Sequence, residues 1–235
     1  MHSNLIQHDT IRLTASDEVQ ISAHVSRPDQ APLGALVVVQ EIFGVNAHIR
    51  AVCDRWAQAG WLAIAPGFFD RLEPGLELDY VPSGVAKGRA LVDQLGFDAP
   101  LRDIGAAAQA VGAGLPCAVV GFCWGGSVAA LAATRMGLPA VSYYGGRTLP
   151  YLHERPQAPL LMHFGELDPM IPPATVDRIR TVWGAAATLT SQPFAVHTYP
   201  AGHGFNRYGH PDHVPASAEL AQARSEAFLR TALGR

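Results

Sequence analysis

Charge is scarce in this chain of 235 residues: 16% are charged and the formal net charge is −3. That stock cannot build the basic field that nucleic acid or an anionic membrane surface requires, so the expected partner is a small molecule. Long apolar runs are missing too, none approaching the ~20 residues needed to span a bilayer. Met1 to Thr10 is polar, with no basic start joined to an apolar core, so no export leader is expected. Cysteine is also sparse. Cys53, Cys117 and Cys123 are an odd number without C-x-x-C spacing, which argues against a disulfide framework and a structural zinc site and makes the cytoplasm the expected compartment. Repeats, low-complexity stretches and linkers are absent, so a single domain over residues 1–235 is expected. Oligomeric state leaves no mark in the sequence, and a monomer is compatible with it.

What is present is an alternation of strand and helix periodicities. Thr10 to Thr14 and Val19 to Ser26 read as two antiparallel edge strands around the turn Ala15-Ser16-Asp17-Glu18. Ala35 to Val39 is an unbroken apolar run, the mark of a strand covered on both faces, and it ends at Gln40-Glu41-Ile42-Phe43-Gly44. Asn46 is placed to cap a helix reaching about Ala59, with Ile49, Val52, Cys53 and Trp56 at helical spacing and Gly60 as its stop. Trp61 to Ala65 predicts another buried strand. The Gly-, Pro- and acid-rich stretch from Pro66 to Pro82 predicts a lid or pocket wall. Helices are predicted over about Ser83 to Leu95, Ala99 to Ala113, Ser127 to Arg135, Pro173 to Ala187 and Ala216 to Leu233. Strands are predicted at Cys117 to Val120, Ala140 to Tyr144, Leu160 to Phe164 and Ala195 to Tyr199. Such alternation implies an α/β protein with a mostly parallel, doubly wound sheet and helices on both faces.

In such sheets reactive groups gather on loops at the carboxyl ends of strands. Gly121-Phe122-Cys123-Trp124-Gly125-Gly126 joins a strand to a helix, and the small residues two positions either side of Cys123 suit a sharp turn that exposes a nucleophile. Taken alone, a Gly-rich cysteine turn is also an ordinary connection. Asp168, just past the strand ending at Phe164, can orient an imidazole or merely cap a turn. His203, between Gly202 and Gly204, can reach over a nucleophile or simply be solvated. Together, however, the order Cys123, Asp168, His203 reproduces the nucleophile, acid, base order of the α/β-hydrolases. His203 then takes the thiol proton and Asp168 fixes its ring. The oxyanion needs preorganised donors, for which the Trp124 N–H and, after an earlier strand, the Ile42 N–H are the candidates.

Four stretches carry a family resemblance: Gln40-Glu41-Ile42-Phe43-Gly44-Val45-Asn46, the cysteine hexamer, Gly165-Glu166-Leu167-Asp168 and Gly202-His203-Gly204-Phe205. They resemble dienelactone hydrolase (carboxymethylenebutenolidase). The resemblance implies the α/β-hydrolase fold and a cysteine hydrolase that opens an unsaturated, carboxylated lactone during bacterial catechol breakdown. It implies no cofactor and no metal. It implies that Glu41 takes part in a substrate-triggered deprotonation of Cys123, and that Arg207 holds the substrate carboxylate. A second carboxylate-binding arginine is expected, but Arg71, Lys87 and Arg89 do not align to it. The rival readings are a family member acting on another ester, lactone or thioester, and a non-catalytic binding protein on the same fold. A glutamine amidotransferase elbow fits poorly, since Gly204-Phe205 follows His203 where that class has Glu two residues on. A metal set of His203, His210 and His213 is opposed by Pro211, which breaks helical spacing.

Overall fold

The computed structural model describes residues 6–111 and 114–235, and the predicted helix end at residue 113 lies outside them. The chain forms two compact units that meet in sequence between Ala118 and Val119.

In the first unit the strand order is β1-β2-β4-β3, with β1 (Gln7–Thr14), β2 (Gln20–Arg27), β3 (Ala35–Val39) and β4 (Leu62–Pro66). The hairpin β1–β2 forms as expected, with β3 and β4 parallel. One expectation needs correcting: β2 is not an edge strand, because it also pairs antiparallel with β4 from Ala23 to Ser26. Its serines are not left to solvent. Instead, Ser22 Oγ donates to Asp70 Oδ2 and Ser26 Oγ to Asp54 Oδ1, so the hydroxyls are satisfied by carboxylates from neighbouring segments.

All residues of β3 and β4 are buried. Successive side chains alternate faces, so both faces of these strands must be covered. Helices α1 (Ala47–Gln58) and α3 (Asp98–Ala110) pack against them. Asn46 caps α1 as its position predicts, with Oδ1 accepting from the Ile49 amide at 3.2 Å. The predicted face Ile49, Val52, Cys53 and Trp56 is buried, and burial pushes the Cys53 thiol up, so it is an inert core group. Helix α2 (Pro82–Leu95) opens with its proline in the first turn, where the missing amide costs nothing. The Gly-, Pro- and acid-rich stretch after β4 holds a 3₁₀ turn at Phe68–Arg71 whose two phenylalanines are buried.

In the second unit β5 (Cys117–Phe122), β6 (Ala140–Tyr143), β7 (Leu160–Gly165) and β8 (Phe194–Tyr199) follow one another in order, all parallel. Helix α4 (Trp124–Arg135) is buried along its whole length before Arg135, which explains its glycines, serine and alanines: only small side chains let it lie close on β6. Helices α5 (Pro173–Thr190) and α6 (Pro215–Ala232) cover β8 and β7. No helix among the described residues is long and apolar enough to cross a membrane.

Candidate active site

The second unit gathers the candidate residues Cys123, Asp168 and His203 at the ends of β5, β7 and β8. Cys123 sits between the last residue of β5 and the first of α4, at φ 57° and ψ −120°, a region that L-residues avoid. The backbone is held there from both sides. Its amide donates to Tyr143 O at 3.0 Å, and its carbonyl accepts from the Gly126 and Ser127 amides at 3.0 and 3.3 Å. The predicted need for a small residue at position 121 is met, since a Cβ there would collide with the Gly125 carbonyl. Helix α4 starts three residues earlier than its alanine-rich stretch predicts, which puts the Trp124 amide in the first turn, where helix N–H groups lack intrahelical partners.

Asp168 lies just beyond β7, 4% exposed. Its Oδ1 accepts from the Met170 amide at 2.8 Å and its Oδ2 lies 2.7 Å from His203 Nδ1, so the carboxylate is fixed through both oxygens. His203 lies beyond β8, its ring packed 4.8 Å from that of Tyr144. Burial works against a charged imidazole here, but the adjacent Cys123 sulfur, as thiolate, and the Asp168 carboxylate outweigh it and raise the His203 pKa from 6.5 to about 10. The remaining nitrogen, Nε2, is buried without a well-formed hydrogen bond. Thiol and imidazole are therefore adjacent but not bonded in this conformation.

Arg207 is 7% exposed and packs its guanidinium beneath Gly204, next to His203. Its Nη1 donates to Asp212 Oδ2 at 2.8 Å. His210 Nδ1 lies 3.3 Å from Asp212 Oδ2, and the His213 ring lies 4.3 Å from that of Tyr208.

In the first unit Glu41 follows β3 and is 1% exposed. Its Oε2 accepts from the Tyr80 hydroxyl at 3.1 Å, and the Asn46 amide group donates to the same hydroxyl at 3.2 Å. Ile42 is buried, its carbonyl side closed by α2 so tightly that a Cβ at Gly88 would collide with it. Arg71 is committed away from any substrate carboxylate: it bonds Asp103 at 2.8 and 2.7 Å and Asp17 at 2.8 and 3.0 Å. Lys87 pairs with Glu73 at 2.6 Å on the surface. Sequence reasoning missed Tyr80 and Tyr144. Tyr80 sits in the stretch without periodicity, and only the positive φ of Tyr144, 42°, marks it, which no sequence pattern reports.

Parallel β/α units carrying a strained cysteine elbow and a buried Asp–His pair at strand ends define an ester hydrolase of the α/β-hydrolase class. Residues 21–233 match the model of the dienelactone hydrolase family, and the chain belongs to that family. Carboxymethylenebutenolidase of Pseudomonas putida is 31% identical over 229 residues, covering 93% of this chain and 94% of the relative. An Azospirillum brasilense protein provisionally named carboxymethylenebutenolidase is 34% identical over 235 residues, covering 95% and 99%. The crystal structure of a provisionally named dienelactone hydrolase from Klebsiella pneumoniae subsp. pneumoniae MGH 78578 superposes with a TM-score of 0.82 at 30% identity, covering 96% of this chain and 98% of that one.

Proposed function

We propose that the protein is a cysteine hydrolase opening an unsaturated lactone that bears a carboxylate, of the dienelactone to maleylacetate type, through Cys123, His203 and Asp168. The observation that carries this reading is the 2.7 Å contact of Asp168 with His203 beside the cysteine elbow. His203 Nε2 accepts the thiol proton and the sulfur attacks the lactone carbonyl. The Trp124 N–H and, by resemblance of the Gln40 to Asn46 stretch, the Ile42 N–H stabilise the oxyanion. Collapse breaks the ring C–O bond, and the released enolate takes the proton back from His203. Water, deprotonated by His203, then cleaves the thioester, giving a free carboxylate and restoring the thiol. Glu41 is assigned the gating of the thiol on the family motif alone. Residues 1–235 are assigned to one functional domain, because a single family match runs from 21 to 233.

A second reading, an esterase or thioesterase of the same family, draws on the ion pair between Arg207 and Asp212, which engages the group meant for a substrate carboxylate. Steady-state kinetics on dienelactone and on neutral aryl esters separate the two. Cys123→Ala and His203→Ala are expected to lose about 10²-fold or more on either substrate. Arg207→Ala is expected to raise KM for dienelactone alone. Retained turnover in either of the first two variants rejects the triad, and equal losses with Arg207→Ala on both substrates support the esterase.

A further inference from the structure

A second constellation lies in the first unit, away from Cys123 in sequence and unused by the proposed reaction. His8 lies on the outer strand β1, which among the described residues pairs only with β2, His24 lies on β2, and Asp54 on α1. In the hairpin register His8 faces Ser26 and His24 faces Thr10, so the two histidines are diagonal neighbours on one face of the ribbon. Their rings stack with centroids 5.7 Å apart. Asp54 rises from the helix on that face: its Oδ1 is 3.4 Å from His8 Nδ1. One ligand atom from each of the three residues lies within 4.8 Å of the other two, the only such group among the described residues.

These spacings suit a small cation. With bonds of about 2.0 to 2.1 Å, the ligand atoms around a tetrahedral zinc ion are separated by about 3.3 Å. The His8–Asp54 edge already has that length, and the His8 side chain, 52% exposed, is free to turn toward the rest of the set. The other two ligands are oriented by one buried hydroxyl. Ser26 Oγ donates to Asp54 Oδ1 at 2.7 Å and lies 3.1 Å from His24 Nε2, the kind of outer support that fixes ligands in metal sites. Two imidazoles and a carboxylate select against calcium and magnesium, which prefer all-oxygen shells, and favour a borderline-soft ion.

We propose that His8, His24 and Asp54 form a binding site for a first-row divalent transition metal, zinc being the best match, with a fourth position left to water. The bound ion ties the outer strand β1 to helix α1. Three protein ligands with one open position also occur in catalytic zinc sites, but no step of the hydrolysis is assigned to this one.

The test uses the full chain as Cys123→Ala, which removes the competing reactive thiol, stripped of metal with a chelator. Zinc chloride is titrated against a chromophoric zinc indicator, and thermal unfolding is followed with and without zinc on the order of 100 µM, a concentration well above a micromolar dissociation constant. One equivalent is expected to bind and raise the melting temperature, with no rise from magnesium or calcium. His8→Ala, at an exposed strand position where folding is not at stake, and Asp54→Asn are each expected to weaken zinc by about tenfold or more. Unchanged affinity in His8→Ala, binding lost instead with His210→Ala, or saturation only at millimolar zinc would overturn the proposal.

Discussion

The elbow should cost the protein stability, and the cost is measurable. Cys123 holds φ 57° and ψ −120°, where a Cβ is crowded by its own backbone, a strain of about 1–3 kcal/mol. Replacing Cys123 by Ala keeps the Cβ and the strain, whereas Cys123→Gly removes both. Glycine in turn loosens the unfolded chain, which offsets about 0.5–1 kcal/mol of the gain. The glycine variant is therefore expected to be at least as stable as the alanine variant, by up to about 2.5 kcal/mol, or up to roughly 10 °C in Tm for a chain of this size. The control is Ala185→Gly on the exposed face of α5, where glycine should lower stability by about 1 kcal/mol. Equilibrium urea unfolding, followed by both circular dichroism and tryptophan fluorescence, supplies the free energies if the two transitions coincide. A Cys123→Gly protein less stable than Cys123→Ala, with Ala185→Gly behaving as stated, would show that the turn is not strained and that its backbone bonds to Tyr143, Gly126 and Ser127 hold it at no cost.

Two further outcomes follow from buried charge. Arg71→Ala strands Asp103, which is fully buried and whose pKa is already raised by burial against the lowering effect of Arg71. Breaking such a pair from one side costs about 3–5 kcal/mol. Stability should fall by that order while KM for carboxylated substrates stays unchanged, and a raised KM without loss of stability would return Arg71 to the substrate. His163 is fully buried between the Tyr199 hydroxyl at 2.8 Å and Ser225 Oγ at 2.9 Å, and burial holds its pKa well below 6.5. The unfolded chain binds this proton and the folded one does not, so its contribution is complete above pH 6.5 and declines as pH falls below it. Chemical denaturation across pH 4.5 to 7.5 should give a shallower acid decline in His163→Gln, with His24 and His197, also lowered first by burial, keeping part of the slope. An equal slope in both proteins would refute the assignment.

The sequence by itself determined the elements and nominated the candidate site residues. β3 was legible to the residue because a strand covered on both faces must be apolar throughout. The Asn46 cap and the buried face of α1 follow from local geometry within one turn. Cys123, Asp168 and His203 were legible because each lies at the end of an apolar run, and strand ends are where parallel sheets expose side chains. The family resemblance added what spacing could not, namely an expected substrate class and an expected role for Glu41.

Only the tertiary structure decided which polar groups meet. β2 reads as an edge strand, and nothing local shows that Asp70 and Asp54 come to satisfy its serines and that β4 takes the strand's second edge. Arg71 reads as a spare cation until Asp103 and Asp17 close around it, and Tyr80 reads as loop until it bonds Glu41. The meeting of His8, His24 and Asp54 depends on strand register and on where α1 lies across the hairpin. Periodicity and turn chemistry are written within a few residues of chain, whereas ion pairs, buried hydrogen bonds and ligand clusters join residues that only the packing of distant segments brings within 3 Å or so.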